Sequence, residues 1–191
     1  MSAEEPTPSA VDAEVSDAEL VRRIAQGNER AFSILENRHR RPTNSYLRKV
    51  GGAGGWADDA YQELWWTVWR QASSYKPARG EVRAWIFGIA HRILWNVGRR
   101  DARYSARHHH PPTLVAVDGR STDPRQSLDL WRALEALEFE DRAVLMQKAE
   151  GLTSQQGSAL MGMKPDAWRK RVERARARLA DLLGMGEANA I

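Results

Sequence analysis

Apolar residues recur every three or four positions over most of this chain, which is the spacing of one face of an α-helix. The first such stretch begins behind Ser16 or Asp17, either of which suits a helix N-cap, and it ends at Gly27. A second stretch runs over residues 31–50, and Pro42 is expected to kink or break it. The pattern therefore predicts two helices in the first quarter of the chain.

The next two predicted helices are separated by strong breakers. The run GGAGG at residues 51–55 is expected to be a loop, because glycine has the highest backbone entropy. A helix is predicted from Asp58 to Arg70, with acids at its N-terminus and an apolar face that includes Trp65. Pro77 and Gly80 break the pattern before a further helix begins at residue 82 and ends in a basic run.

Residues 106–126 carry no sustained period and are expected to form a flexible linker between two domains. Helices are predicted again over residues 128–137 and 144–149, the second of them stopped at Gly151.

A helix-turn-helix is expected at the end of the chain. Thr153 and Gln156 have the spacing of a capping box, Gly162 suits a helix C-terminus, and Pro165 suits the first turn of the next helix. This last helix, expected to run to about Leu183, carries six basic residues in ten positions beside one continuous stripe expected to be buried: Trp168, Val172, Ala175, Leu179 and Leu182.

No stretch shows the alternation with period two that is typical of a strand, so we expect an all-α protein of two small helical domains joined by a flexible linker. The expected organisation is a disordered acidic leader at 1–16, a first helical domain at 17–105, a linker at 106–126, a helix-turn-helix domain at 127–185 and a tail at 186–191.

Composition narrows the function. Residues 1–19 carry six acids and no Lys or Arg, so the rest of the chain is distinctly basic. This charge suggests a polyanionic partner, and on charge alone a solvated basic surface explains it equally well. The chain has no Cys, which excludes disulfides, a thiol nucleophile and Cys-ligated zinc, and it shows neither a secretory signal nor an apolar run long enough to insert into a membrane. A cytoplasmic location is therefore expected. No motif of an enzyme is found, and no cofactor is expected. The run His108 to His110 is expected to be solvated linker rather than a metal site.

Three motifs resemble one family. The run EGLTSQQGSALMGMKPDAWRKRVERARARL resembles the C-terminal helix-turn-helix domain of bacterial extracytoplasmic-function (ECF) sigma factors of the sigma-70 family. The runs ADDAYQELWWTVWR and YKPARGEVRAWIFGIAHRILWNVGRR resemble the promoter-melting domain of that family. The resemblance implies a sigma factor that binds core RNA polymerase, recognises promoter DNA at the −35 and −10 elements and initiates transcription. It also implies an inhibitory anti-sigma factor as a partner.

The resemblance implies three groups of site residues, and their chemistry is compatible with it. Duplex DNA at the −35 element is assigned to Thr153, Lys164, Arg169, Lys170, Arg171, Glu173, Arg174 and Arg178. The melted −10 strand, which offers bases to stack and phosphates to neutralise, is assigned to Tyr75, Lys76, Arg79, Arg83, His91, Arg92, Trp95, Asn96, Arg99 and Arg100. Contact with the polymerase is assigned to Asp58, Asp59, Gln62, Glu63 and Trp66.

Several positions depart from the family pattern, two of them in the helix-turn-helix, and one residue has two interpretations. Gly157 stands where the family usually has Ile, and Trp168 replaces a smaller β-branched residue. Glu173 either accepts a hydrogen bond from a cytosine or pairs with Arg169 one turn before it.

Two other functions remain open from the sequence. In one, the helix-turn-helix belongs to a transcriptional regulator whose N-terminal helices bind a ligand or dimerise. In the other, the chain is an RNA-binding or structural helical protein. The basic and aromatic stretch from Tyr75 to Arg100 favours the sigma factor, because a ligand-binding domain does not need such a surface.

Overall fold

The computed structural model describes residues 15–51, 57–104 and 124–185, and for residues 97–104 and 124–127 it describes the backbone alone. Within these ranges the regular structure is helical. Helices α1 to α4 of the N-terminal module are Asp17–Ile24, Glu29–Gly51, Ala57–Gln71 and Val82–Tyr104. Helices α5 to α8 of the C-terminal module are Pro124–Ala136, Phe139–Ala149, Ser154–Met161 and Pro165–Leu182.

The predicted helix starts are confirmed where side chains cap them. The Ser16 hydroxyl accepts from the Glu19 amide at 3.3 Å and begins α1, and Gly27 after this helix has a φ of 83°. Helix α2 is continuous through Pro42, so of the kink or break expected there, the break is wrong. Beside the proline, the Thr43 hydroxyl donates to the His39 carbonyl at 2.6 Å, so this buried hydroxyl is satisfied within the helix.

An ion-pair cluster fastens α1 to α2. Both Asp17 carboxylate oxygens are used, one by Arg38 at 2.8 Å and the other by the His39 ring at 2.6 Å. The hydrogen bond from His39 holds the pKa of Asp17 below its ordinary range.

The two modules share part of their core. One cluster fills the space between α1, α2, α3 and α4, and it also includes Ala143 of α6 and Leu152 of the turn after α6, both of them buried. A second cluster lies inside the C-terminal module and centres on Trp168 and Val144. Helix α6 packs on α2, and α7 packs on α4, so the modules are docked against each other.

Residues 1–14 of the expected acidic leader, residues 52–55 of the expected glycine loop and residues 106–123 of the expected linker lie outside the described residues. The first residue of the expected loop, Gly51, is instead the last residue of α2, so its expected place in a loop is wrong. Helix α5 begins at Pro124, within the range expected for the linker. The histidine run at 108–110 also lies outside them.

Candidate DNA- and polymerase-binding surfaces

The helix-turn-helix predicted from the sequence is present, with its caps. The Thr153 hydroxyl accepts from the Gln156 amide at 3.2 Å, and the Gln156 side chain accepts from the Thr153 amide at 2.9 Å. Gly162 closes α7 with a φ of 64°, a left-handed conformation that favours glycine, and Pro165 occupies the first turn of α8. The turn between the helices therefore fixes where α8 begins.

Two of the departures from the family pattern, Gly157 and Trp168, contact each other. The side chain of Trp168 is fully buried, and its ring lies directly over Gly157. A Cβ placed on Gly157 would lie 2.7 Å or less from three atoms of the indole ring, closer than real Cβ contacts come. The absence of a side chain at Gly157 therefore leaves room for the tryptophan ring. In this position the indole N–H donates to Oε1 of Gln147 at 3.0 Å.

One face of α8 is free to meet DNA. Arg169, Lys170, Glu173 and Arg174 are exposed on the side opposite the buried stripe. Arg169 pairs with Asp166, one turn before it, and not with Glu173. Among the described residues Glu173 has no ion pair. The alternative in which Glu173 pairs with Arg169 within the helix is therefore not seen.

Two of the arginines expected to bind DNA are held by acids of α6. Asp141, whose side chain is 3% exposed, accepts from Nε of Arg171 at 2.8 Å and also binds Arg178. Arg171 additionally contacts Glu140 at 2.8 Å. These ion pairs anchor the recognition helix to α6. Contact of the same two arginines with DNA stays a prediction, and it would compete with these ion pairs.

The buried stripe of α8 is shorter than expected. Trp168, Val172 and Ala175 are buried and Leu179 is partly buried, but Leu182 is 49% exposed, so its expected burial is wrong. The last turn of α8 lies beyond the helices that cover the rest of the stripe.

The turn between α3 and α4 presents the first part of the surface assigned to the melted strand. Tyr75 packs its ring against Trp85, with the centroids 5.3 Å apart, and donates its hydroxyl hydrogen to the Gly80 carbonyl at 2.9 Å. Lys76 and Arg79 are exposed on either side of Pro77. One half-buried aromatic pair and two free cations are suited to stacking and to phosphate contact.

The rest of that surface lies on α4, and the C-terminal module covers part of it. His91 is buried, Trp95 packs against Phe139 of α6 with centroids 5.8 Å apart, and Arg83 pairs with Glu150 at 3.2 Å. The remaining assigned side chains that the structure describes, Arg92 and Asn96, are exposed. The side chains of the last two, Arg99 and Arg100, lie outside those that it describes.

Helix α3 forms one wall of an open groove with a volume of about 760 Å³. Asp59, Gln62, Glu63 and Trp66 are exposed along it, and the side chain of Trp66 is 58% exposed. Asp58, the remaining residue assigned to polymerase contact, pairs with Arg48 at 2.7 Å. Four of the five expected polymerase residues therefore line this groove, and Asp58 does not.

The other wall of the groove was not found from the sequence. Phe32 of α2 packs edge-on against Trp65 and Trp69, with centroids 5.9 and 5.4 Å away, and Glu29 and Glu36 lie on the same side. The only signal in the sequence was the place of Phe32 on the apolar stripe of α2. That stripe does not show which helix will pack beside it.

Comparison with known proteins decides the family. The protein family described as Sigma-70 region 2 matches residues 35–104 of this chain, and the family described as Sigma-70, region 4 matches residues 127–179. The chain is 31% identical over 174 residues to the ECF RNA polymerase sigma factor SigM of Mycobacterium tuberculosis, covering 90% of this chain and 86% of that protein. The chain belongs to the ECF sigma factor family. It is also 30% identical over 167 residues to the RNA polymerase sigma factor CarQ of Myxococcus xanthus, covering 85% of this chain and 94% of that one.

Solved structures have the same fold as this sigma factor. CnrH in complex with the cytosolic domain of CnrY matches with a TM-score of 0.64 and 26% identity, covering 91% of this chain and 99% of CnrH. The sigma factor RpoE of Bartonella quintana, solved with the anti-sigma factor NepR, matches with a TM-score of 0.65 and 21% identity over 74% of this chain. The expected two-module helical fold and the expected sigma factor function are thus confirmed, and a regulator with a ligand-binding N-terminal domain is not favoured.

In the parts of the chain that the structure describes, no helix is both long and apolar enough to cross a membrane. No group of His, Asp or Glu side chains there is arranged to hold a metal ion.

Proposed function

We propose that this sigma factor recognises promoters at two elements, reading the −35 duplex with α8 and holding the melted −10 strand on α4 and the turn before it. The observation that carries the proposal is the exposed face of α8, where Lys170 and Glu173 lie on the second helix of a helix-turn-helix, the helix that enters a major groove. Glu173 is the informative residue because a carboxylate is repelled by phosphates. A hydrogen bond from cytosine N4 would compensate for that repulsion.

The groove along α3 is proposed as the polymerase surface. Trp66 supplies an exposed ring, and Asp59 and Glu63 supply an acidic rim. An exposed aromatic beside charged residues is typical of an interface anchor. The chain supplies recognition and the polymerase supplies the chemistry, so we assign no catalytic role to this protein. Because the polymerase and its promoters meet in the bacterial cytoplasm, we also place the protein there.

An anti-sigma partner belongs to the same proposal. CnrH and RpoE were each solved with a partner, the cytosolic domain of CnrY and NepR. This chain shares its fold with both, which supports regulation by a protein that binds it before the polymerase does.

The test uses the purified chain with sigma-free core polymerase and a library of promoters. We expect transcription from a defined subset of sequences with a shared upstream motif. Lys170→Ala should weaken duplex binding, whereas Lys148→Ala, which removes the same charge from an exposed position on α6, should not. Trp66→Ala should weaken polymerase binding, with Leu130→Ala as a control for loss of an exposed apolar side chain. Transcription without any sequence preference would contradict the proposal.

A further inference from the structure

A single buried carboxylate holds two arginines of the recognition helix. Asp141 lies in the first turn of α6, and its side chain is 3% exposed. One of its carboxylate oxygens accepts from Nε of Arg171 at 2.8 Å, and the other accepts from an N–H of Arg178. Both carboxylate oxygens are thereby used, and the positive end of the α6 dipole further stabilises this buried charge.

The two arginines fix both the rotation and the tilt of α8. They are seven residues apart in the sequence, which in a helix places them on nearly the same side and about 10 Å apart along the axis. Two tethers on the same side prevent the helix from turning about its axis, and their separation prevents it from tilting. Near the start of the same helix, the indole N–H of Trp168 donates to Gln147 at 3.0 Å, so α6 holds α8 at three positions.

The surroundings of Arg171 leave it little charge to offer to DNA. Its side chain is 22% exposed, and besides Asp141 it contacts Glu140 at 2.8 Å and Glu138 at 3.6 Å. Three carboxylates around one guanidinium more than neutralise its charge, so this part of α8 attracts a phosphate only weakly. Arg174, by contrast, is exposed and has no ion pair among the described residues.

The tethers set the position of the side chains that face away from α6. Lys170 and Glu173 are exposed on the opposite side of α8, so they move with any rotation of the helix. Side chains that read base edges have to be held to within about 0.5 Å, and a small rotation of α8 would therefore remove their hydrogen bonds. Attraction to phosphates is less demanding, because it also supports binding to DNA of any sequence.

We propose that Asp141 is a positioning residue for sequence reading, and that Arg171 and Arg178 serve as its partners rather than as ligands of DNA phosphates. The inference rests on the proposed function, in which α8 reads the −35 duplex. Sequence preference then depends on a buried carboxylate of another helix, which is itself too buried to contact DNA.

The first test neutralises this carboxylate with little change of shape. Affinities of the full chain are measured by fluorescence anisotropy for two short labelled duplexes, one with the upstream motif returned by the promoter library and one with that motif scrambled. Asp141→Asn should lower the ratio of the two affinities about tenfold, which corresponds to the loss of one base contact. Affinity for the scrambled duplex should stay equal or rise, because a negative charge is lost and two arginines are released. A loss of folded protein would lower both affinities equally, so the ratio separates positioning from stability.

Two variants serve as controls, and far-ultraviolet circular dichroism checks that each is folded. Asp129→Asn removes the same charge from an exposed position on α5 and should leave the ratio unchanged. Asp141→Glu keeps the charge and should retain more of the ratio than Asp141→Asn does. A ratio for Asp141→Asn equal to that of the unchanged protein would overturn the inference.

The second test asks whether Arg178 binds a phosphate. The slope of log affinity against log salt concentration reports the number of phosphate contacts, and each lost contact lowers its magnitude by about one. In the otherwise unchanged protein, Arg178→Gln should leave the slope nearly unchanged, whereas Arg174→Gln should lower it by about one. In the Asp141→Asn background Arg178 has lost its partner, so Arg178→Gln should now lower the slope by about one. An equal drop for Arg178→Gln in both backgrounds would identify a phosphate ligand and overturn the inference.

Failure of the inference and failure of the proposed function give different results. If the unchanged protein binds the motif and the scrambled duplex equally, the proposed reading of the −35 element is wrong and the inference fails with it. If the unchanged protein prefers the motif and Asp141→Asn keeps that preference in full, the proposed function stands and only the inference fails.

Discussion

Gly157 and Trp168 are expected to depend on each other for stability. In a helix interior, replacing Gly by Ala normally stabilises by about 1 kcal/mol through helix propensity. At Gly157 the new methyl would meet the indole of Trp168 at 2.7 Å or less, so the ring has to move. We therefore expect Gly157→Ala to destabilise the protein, against the helix propensity.

The magnitude follows from two losses. Overpacking of a buried site costs about 1–3 kcal/mol. Displacing the ring also breaks the hydrogen bond to Gln147, which is fully buried, and leaves an unpaired polar group that costs about 1–3 kcal/mol. After subtraction of the helix propensity, the net loss for Gly157→Ala is about 1–5 kcal/mol.

The compensating exchange should recover part of this loss. Trp168→Val alone should cost about 3–5 kcal/mol because it empties a buried site. Adding Gly157→Ile to Trp168→Val refills that site from the facing helix, so the double variant should be more stable than the sum of the two single changes by about 1–3 kcal/mol.

The assay is thermal and urea unfolding followed by far-ultraviolet circular dichroism, which does not depend on the tryptophan signal. For a chain of this size, each 1 kcal/mol shifts Tm by about 2–4 °C. Gln155→Ala, at an exposed position of the same helix, is the control and should raise Tm slightly. If Gly157→Ala raises Tm as much as the control does, the packing argument is refuted.

Three further outcomes are expected. Asp141→Ala should destabilise the C-terminal module by about 1–3 kcal/mol in urea unfolding, a moderate loss because Arg171 retains Glu140 as a partner. Glu173→Ala should relax the preference for one upstream base pair by about 1–3 kcal/mol, and a binding-site selection that returns the wild-type motif would contradict the cytosine contact. Burial lowers the pKa of His91 from its ordinary 6.5, so the protonated form is disfavoured in the folded state. The free energy of unfolding should therefore fall as the pH drops below about 6.5, and His91→Gln should remove this dependence.

The sign of the His91 effect can be separated from that of its neighbours. Burial raises the pKa of Glu150, so protonation of that group stabilises the folded state on acidification, but only as the pH approaches the carboxylate range. The loss of stability just below pH 6.5 therefore reports on His91.

The features that could be predicted from the sequence are those set by interactions between residues close together in the chain. The capping box at Thr153, the left-handed Gly162 and Pro165 define the helix-turn-helix through interactions within a few residues of each other, so the sequence alone predicted it. Pro42 shows the limit of such rules. A long helix packed on both sides tolerates the proline that would end it in isolation.

The sequence by itself determined the helices, their caps, the basic face of α8 and the residues along α3, because these depend on spacing along the chain and on side-chain chemistry. Only the tertiary structure decided which residues meet. The tertiary structure places Trp168 against Gly157 and pairs Arg171 with Asp141. It also buries His91 under the C-terminal module. Helical periodicity shows that a face is apolar but not which face covers it, since that choice depends on contacts between residues far apart in the chain.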